Sequence, residues 1–212
     1  EWFTRSYRDG FLPDVPKHLR DKIVVAPATA VVTAFPSVKA MPLIVKYDTF
    51  SIQGVVPKPH LYEAHPCTLH YLSPADYHCY HAPMSGKIVT LDLRVDDDIP
   101  NSVTVKKYVF RYINILKRNR RVVIVIERPD GFRCAMVIIG GITVDSIRLE
   151  EGIEEGETIH VGQKVGAFAR GGSSIALFFS KPVAFCYPAY GRLAGSGFDC
   201  KLACNTVLCN SA

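Results

Sequence analysis

The sequence has no apolar run long enough to cross a bilayer, which takes about 18 residues. Its longest apolar runs, VVIVI and AMVIIGGI, are shorter and are typical of buried strands. The opening residues, EWFTRSYRDG, are polar and aromatic, so they do not resemble a signal peptide. We therefore expect no transmembrane segment in this chain, and a protein that is peripherally membrane-associated or cytoplasmic.

The sequence also lacks the patterns of a disulfide framework and of a metal site. Its seven cysteines are an odd number, so they cannot all be paired, and reduced thiols are expected. Cys200, Cys204 and Cys209 lie near the C-terminus without CxxC spacing. Five of the seven histidines fall between positions 60 and 81, but no HExxH or Cys-His pattern accompanies them. We expect no bound metal.

Charge of one sign is only mildly in excess. Lys and Arg number 25 against 20 Asp and Glu, giving a formal net charge of +5 at pH 7. The basic run Lys117–Arg121 could contact an anionic membrane surface, although a solvated turn is the commoner role of such runs. No aromatic stacking pattern of a nucleic-acid module accompanies it, so we expect no nucleic-acid partner.

Strand patterns dominate over helical ones. Residues 85–95 alternate between polar and apolar side chains, which indicates a half-buried strand. Two β-rich runs flank Pro129-Asp130-Gly131, a hairpin turn signal. A single helical turn could begin at Ser73-Pro74. The predicted fold is a β-rich α+β domain spanning residues 1–212, with twisted antiparallel sheets forming a sandwich or partly closed barrel and few short helices.

Two short segments carry side chains suited to catalysis. His78 and His81 are three residues apart, so a tight turn or short helix would place both imidazoles on one face as an acid/base pair. Gly171-Gly172-Ser173-Ser174 is, taken alone, most often an ordinary turn. A serine hydroxyl that follows a glycine can nevertheless attack the preceding carbonyl when a base removes its proton.

Together these segments resemble the phosphatidylserine decarboxylase family. The resemblance rests on LSPADYHCYHAPMSGKI (72–88), RNRRVVIVIE (118–127), IGGITVDSI (139–147) and GQKVGAFARGGSSIALFF (162–179), in the order and approximate spacing of the family. The opening EWFTRSYRDGFLPDVP also looks like the family's entry to its catalytic domain. The DYHxxHxP segment paired with the GGS loop is the most specific part of the match.

The resemblance implies a proenzyme that cleaves itself. The Gly172–Ser173 peptide would rearrange to an ester through the Ser173 hydroxyl, and elimination would then separate a β-chain (1–172) from an α-chain (173–212). Ser173 would remain as an N-terminal pyruvoyl group, the built-in cofactor of decarboxylation. The expected activity is that of a carboxy-lyase which converts phosphatidylserine to phosphatidylethanolamine.

The resemblance also implies roles for both histidines. His81 matches the family histidine that activates the serine, and His78 matches the one associated with decarboxylation and reprotonation. The substrate implied is a phospholipid or a small amine, and a homodimer is compatible with the resemblance.

One position departs from the family pattern. The family's base is usually completed by an aspartate in a PADG-like motif, whereas the matching segment here reads APATA and has Thr29 in that place. A threonine hydroxyl cannot offset the charge of a protonated histidine. Two alternatives therefore remain open beside the lipid enzyme: a soluble aromatic amino-acid decarboxylase of the same family, and an uncleaved, non-catalytic homologue that binds lipid or a partner protein.

Overall fold

Antiparallel strands make up most of the fold. The computed structural model describes residues 12, 14–40, 52–94, 120–140, 147–169, 173–186 and 198–211. Within these ranges lie three short 3-10 helices, Lys17–Leu19, Val38–Ala40 and Pro59–Leu61. The strands are β1 (Ile23–Val25), β2 (Ala30–Phe35), β3 (Cys67–Leu72), β4 (Cys79–His81), β5 (Gly86–Arg94), β6 (Arg121–Glu127), β7 (Arg133–Ile139), β8 (Ile147–Leu149), β9 (Thr158–Ile159), β10 (Lys164–Phe168), β11 (Ser173–Phe179), β12 (Val183–Phe185), β13 (Phe198–Leu202) and β14 (Val207–Ser211).

The strands form three open sheets. The largest has eight strands in the order β13-β2-β3-β11-β7-β6-β5-β9, and two three-stranded sheets have the orders β1-β14-β12 and β4-β10-β8. All of the strand pairs are antiparallel. The β-rich α+β prediction is confirmed, with open sheets rather than a closed barrel.

The eight-stranded sheet is buried on both faces at its centre. Alternate residues of β6 belong to different apolar clusters: Val122, Ile124 and Ile126 to the larger one, Val123 and Val125 to the smaller. Side chains of a strand alternate between faces, so apolar side chains cover both sides of the sheet here. The larger cluster runs from Val24 to Cys209 in sequence, which ties both ends of the described chain into one core.

The strongest sequence patterns correspond to strands. The alternating segment forms β5 (Gly86–Arg94), and the Pro129-Asp130-Gly131 turn joins β6 to β7. Gly131 has φ +75°, which favours glycine, and the Asp130 carboxylate accepts a 2.8 Å hydrogen bond from the Phe132 amide. Both predictions are confirmed, because turn chemistry and alternation are local properties of the chain.

The turn predicted to begin at Ser73-Pro74 is present, but it does not continue into a helix. The Asp76 amide bonds the Ser73 carbonyl in a single tight turn, after which the chain extends into β4. β4 pairs with β10, and these ladder hydrogen bonds outweigh the capping preference of Ser73 and Pro74. The two histidines are therefore not on one helical face: His78 precedes the strand and His81 ends it.

Six cysteines whose side chains the structure describes are free thiols: Cys67, Cys79, Cys134, Cys186, Cys204 and Cys209. Cys204 packs with Tyr77, Cys79 and Ala167 in a small apolar cluster, and Cys209 belongs to the larger core. Burial raises the pKa of the Cys204 and Cys209 thiols, which disfavours the reactive thiolate. Both side chains therefore act as small apolar packing groups. Among the residues that the structure describes, no helix is long and apolar enough to cross a membrane.

Candidate functional site

Ser173 begins the central strand β11 and is buried. Its side chain is 2% exposed, and its backbone lies opposite Leu72, the last residue of β3. The Ser173 hydroxyl has no hydrogen-bond partner among the described parts of the chain. A buried hydroxyl without a partner is energetically unfavourable, which makes this atom a candidate for chemistry. Gly172, on the other side of the predicted cleavage point, lies outside the described residues.

The segment that carries both histidines is attached to two strands next to Ser173, one in the sheet and one in the sequence. It begins after Leu72, the strand partner of Ser173, and passes through a turn to His78. The His78 carbonyl accepts a 2.9 Å hydrogen bond from the amide of Phe168, which ends β10 five residues before Ser173. The histidine segment is thus attached to two strands. It follows β3, which pairs with Ser173, and it is hydrogen-bonded to the end of β10, which precedes Ser173 in the sequence.

His78 is fully buried and its imidazole is oriented by the backbone. Its Nδ1 atom lies 2.8 Å from the carbonyl oxygen of Asp76. A carbonyl oxygen can only accept, so Nδ1 donates, and in the neutral ring Nε2 is then the basic nitrogen. The Ser173 hydroxyl makes no hydrogen bond to this ring.

Asp76 stabilises the turn that precedes His78. Its carboxylate accepts 2.8 Å hydrogen bonds from the amide and the hydroxyl of Ser73, and Lys201 of β13 lies 2.5 Å away. Burial acts to raise the pKa of Asp76, but the hydrogen bonds from Lys201 and Ser73 outweigh it and hold the pKa below its ordinary value. Asp76 therefore stabilises the turn that leads to His78.

His81 has hydrogen bonds at both ring nitrogens. Nδ1 lies 2.8 Å from the Gly162 carbonyl oxygen, and Nε2 lies 3.0 Å from the Tyr77 hydroxyl. Burial lowers the pKa of His81 and outweighs the opposing effect of the Gly162 carbonyl, which favours the neutral ring. Nδ1 must donate to Gly162, and Nε2 accepts from Tyr77.

The charges nearest to His81 offset each other. Lys164 is the strand partner of His81, and its Nζ atom lies 2.8 Å from a carboxylate oxygen of Glu150. Lys164 lowers the pKa of His81, whereas Glu150 raises it. Because Glu150 is already ion-paired, its charge is a weak substitute for a carboxylate bonded directly to the ring.

Thr29 lies on the segment that contacts the backbone of His81. The His81 amide donates a 2.8 Å hydrogen bond to the carbonyl of Pro27, two residues before Thr29. The Thr29 hydroxyl oxygen accepts a 3.1 Å hydrogen bond from the amide of Cys204. The residue in the place of the family aspartate is therefore two positions from a backbone contact of His81, but its side chain bonds the C-terminal segment.

Two partners of His81 were absent from the sequence prediction. Tyr77 is four residues before His81, and no periodicity indicates that its hydroxyl would meet an imidazole. Gly162 contributes a backbone carbonyl from 81 positions along the chain, which no side-chain pattern could indicate. In the described ranges no group of three or more His, Cys, Asp or Glu side chains could hold a metal ion.

Comparison with known proteins places this site in a family context. The model of the family described as phosphatidylserine decarboxylase matches residues 1–190. The chain is 32% identical over 191 residues to phosphatidylserine decarboxylase proenzyme 2 of Oryza sativa subsp. japonica, covering 85% of this chain and 29% of that protein. It is 30% identical over 183 residues to proenzyme 2 of Saccharomyces cerevisiae, covering 84% of this chain and 15% of that one.

A bacterial relative is covered more completely. The chain is 30% identical over 185 residues to the phosphatidylserine decarboxylase proenzyme of Halalkalibacterium halodurans, covering 85% of this chain and 67% of that protein. The chain thus spans less than a third of the rice and yeast relatives and about two thirds of the bacterial one. With a family match that extends over residues 1–190, this chain belongs to the phosphatidylserine decarboxylase family.

Proposed function

We propose that this chain is the catalytic domain of a pyruvoyl-dependent decarboxylase that acts on phosphatidylserine to give phosphatidylethanolamine. The observation that carries the proposal is the buried hydroxyl of Ser173, which begins a central strand without a hydrogen-bond partner among the described residues. Relatives named phosphatidylserine decarboxylase proenzymes support both the reaction and a maturation step. The proposed maturation is self-cleavage between Gly172 and Ser173.

His81 is the proposed base in this self-cleavage. Burial favours its neutral ring, and its Nε2 lone pair accepts a hydrogen bond from Tyr77. Exchange of that bond for one from Ser173 would let Nε2 take the hydroxyl proton. The serine oxygen would then attack the Gly172 carbonyl carbon, and the amide bond would become an ester. Elimination would then remove the Cα proton of Ser173 and the Gly172 carboxylate. Hydrolysis would replace the Ser173 nitrogen with oxygen, with loss of ammonia, and would leave the pyruvoyl end.

The surroundings of Ser173 fit such a group. A pyruvoyl group supplies an electron sink for the carbon–carbon bond that breaks in decarboxylation. β11 lies between β3 and β7, so an α-chain that starts at Ser173 would stay in the sheet through backbone hydrogen bonds on both sides. The proposed mature protein is thus one domain of two chains, 1–172 and 173–212.

His78 is the proposed proton donor in decarboxylation. Its Nδ1–H is held by the Asp76 carbonyl, and its Nε2 atom is buried. A ring oriented in this way can take up a proton at Nε2 and deliver it to a neighbouring carbon without rotating. Burial also limits access of water to the site. His78 and His81 would therefore act in different steps, and we propose that Tyr77 is a positioning residue for His81.

A second candidate is a non-catalytic homologue that binds a lipid or a partner protein. The observation that favours it is Thr29, whose hydroxyl accepts from Cys204 instead of supplying a negative charge to His81. Without that charge the protonated form of His81 is less stable, which slows proton removal from Ser173. This candidate requires the chain to stay intact.

The intact mass of the freshly purified chain under denaturing conditions separates the two. The decarboxylase proposal expects fragments 1–172 and 173–212, the smaller with no free N-terminal amine. Ser173→Ala should give one intact chain, and the adjacent, half-buried Ser174→Ala should cleave like the wild type. A wild-type chain that stays intact for days would contradict self-cleavage and favour the binding homologue.

Substrate choice requires a separate measurement on the cleaved protein. Release of carbon dioxide is followed with phosphatidylserine vesicles and, in parallel, with soluble aromatic amino acids. A lipid substrate predicts activity on vesicles that falls as salt is raised, because salt screens attraction between an anionic surface and a cationic protein. Carbon dioxide release only from the amino acids would contradict the lipid assignment and leave the cleavage proposal intact.

A further inference from the structure

One cavity has a lining that does not include Ser173, His78 or His81. Its volume is about 600 Å³, and it is bounded by the first 3-10 helix, the start of β5, the β6–β7 turn and β9. The lining residues are Lys17, Arg20, Asp21, Ser85, Gly86, Arg128, Pro129, Asp130, Thr158 and His160. None of them has a role in the proposed decarboxylation, so this cavity is a candidate for a separate binding site.

Arg128 forms the buried wall of this cavity. Its side chain is 4% exposed, its Nη1 atom donates to the Asp21 carbonyl, and its guanidinium lies 4.4 Å from the centre of the Phe132 ring. The Nε and Nη2 atoms have no hydrogen-bond partner among the described residues. A guanidinium stays charged at neutral pH, so this wall presents a buried cation with unused donors.

Asp130 and Asp21 also line this cavity, and their negative charges act on Arg128 without a direct ion pair. Asp130 uses a carboxylate oxygen to accept from the Phe132 amide, and Asp21 meets Arg128 through its backbone carbonyl. Neither forms an ion pair with Arg128 within 4.0 Å in the described structure. An unpaired buried charge is destabilising unless a ligand pairs with it, so the wall favours an anion.

Further donors surround the same space. Lys17 is exposed at the rim, and half-buried Arg20 is oriented by a 3.1 Å hydrogen bond from its Nε to the Val15 carbonyl. The Nη2 atom of Arg20 lies 3.6 Å from a carboxylate oxygen of the exposed Asp14, a surface pair that contributes little energy. The Ser85 hydroxyl accepts from the Val161 amide at 3.0 Å, which leaves its own proton for donation. A carboxylate has only two oxygens, which one guanidinium can occupy, whereas a phosphate can accept from several directions.

We propose that this cavity binds a phosphate group, with Arg128 as its buried anchor and Arg20 and Lys17 as rim cations. The phosphate is that of a lipid headgroup or of a small soluble phosphate ester, and the cavity is large enough for more than the phosphate alone. The lining does not include Ser173, His78 or His81, so the proposal does not depend on self-cleavage.

Binding to the purified chain tests the proposal in two arms. The soluble arm titrates inorganic phosphate and glycerol 3-phosphate by calorimetry. The membrane arm measures co-sedimentation with phosphatidylcholine vesicles that contain or lack phosphatidic acid. Binding in the first arm assigns a soluble ester, and binding in the second alone assigns a lipid headgroup. Absence of binding in both arms, at millimolar phosphate and at lipid excess, overturns the proposal.

Variants locate the bound phosphate. Arg20→Gln and Arg128→Lys should each weaken binding by about tenfold, because each removes a charge-assisted or bidentate contact. Arg20 is half-buried at the rim, so its variant should fold even if Arg128→Lys does not. The control is Lys39→Gln, an exposed lysine outside the cavity, which should bind like the wild type. Wild-type affinity in both arginine variants, or equal loss in the control, overturns the assignment to this cavity.

Discussion

The hydroxyl of Tyr77 lies 3.0 Å from Nε2 of His81, and the two rings are 5.8 Å apart at a tilt of 40°. The Gly162 carbonyl holds the opposite nitrogen at 2.8 Å, so the tautomer of the neutral ring is fixed with the proton on Nδ1. The Nε2 atom of His81 is therefore the accepting nitrogen of the neutral ring, and the Tyr77 hydroxyl is its hydrogen-bond partner.

Tyr77→Phe should shift the pH dependence of self-cleavage to higher pH. The Tyr77 hydroxyl donates to the neutral imidazole and stabilises it, so its loss should raise the pKa of His81. Cleavage requires neutral His81, and its rate should rise with pH through that pKa. A hydrogen bond of about 1 kcal/mol corresponds to a midpoint shift of about 0.7 pH unit. The measurement is the rate of fragment formation between pH 5 and 8.

The pH profile distinguishes a positioning role from a structural one. General loosening of the site would lower the rate equally at every pH, without moving the midpoint. Phenylalanine keeps the ring that packs with Cys79 and Ala167, so it is the matched replacement for tyrosine. An unchanged midpoint in Tyr77→Phe would contradict the proposed role of the hydroxyl.

Thr29→Asp should accelerate self-cleavage. An aspartate there would supply the negative charge that the family pattern has at this position, where Glu150 near His81 is already paired with Lys164. Loss of the carboxylate from a comparable triad lowers the rate by about 10⁴-fold, so even partial restoration should give about tenfold or more. The measurement is the appearance of the 173–212 fragment after cell-free synthesis.

The matched control for this change is Thr29→Asn. Asparagine has the shape of aspartate and can still accept from the Cys204 amide, but it carries no charge. Its cleavage rate should remain near that of the wild type. Equal acceleration by asparagine and aspartate would show that charge is not the missing property.

Gly166→Ala should destabilise the sheet that carries His81. A Cβ atom at Gly166 would lie 2.1 Å from the Arg148 carbonyl oxygen and 2.6 Å from the Tyr80 hydroxyl. Overpacking of this kind typically costs about 1–3 kcal/mol in the free energy of unfolding, which urea denaturation measures. Adding Tyr80→Phe should not restore stability, because the backbone carbonyl remains in place. Full rescue by the double variant would contradict this explanation.

His70 should make the protein less stable as pH falls. Its side chain is fully buried, and burial lowers its pKa from 6.5 to about 3. Below pH 6.5 the unfolded chain binds a proton that the folded chain does not, so stability falls until about pH 3. The expected slope is up to about 1.4 kcal/mol per pH unit, measured by urea unfolding at pH 5, 6 and 7.

Substitution isolates the contribution of His70. His70→Gln should flatten the slope of unfolding free energy against pH, whatever its effect on absolute stability. His60→Gln, which changes an exposed histidine, should leave the slope as in the wild type. An equal slope in His70→Gln and the wild type would mean that other groups cause the acid sensitivity.

Local patterns predicted the elements, whereas the arrangement of the site required contacts distant in sequence. Alternation identified β5, and Pro129-Asp130-Gly131 identified the β6–β7 hairpin. The spacing of His78 and His81 suggested one helical face, but pairing of β4 with β10 extends the chain between them. A spacing of three residues places two side chains on one face in a helix but not in an extended strand, so the spacing can be interpreted only when the local conformation is known.

The sequence by itself determined the residue types available for chemistry, the strand and turn preferences, and the resemblance that the family match bears out. Only the tertiary structure decided which ring nitrogen of His81 carries the proton and that the neutral ring is favoured. The first depends on a carbonyl 81 residues away, and the second depends on burial. The tertiary structure alone also placed Arg128 in a cavity with unused donors. Hydrogen bonds and desolvation depend on which groups are in contact in the folded protein, and local sequence patterns do not show contacts between distant residues.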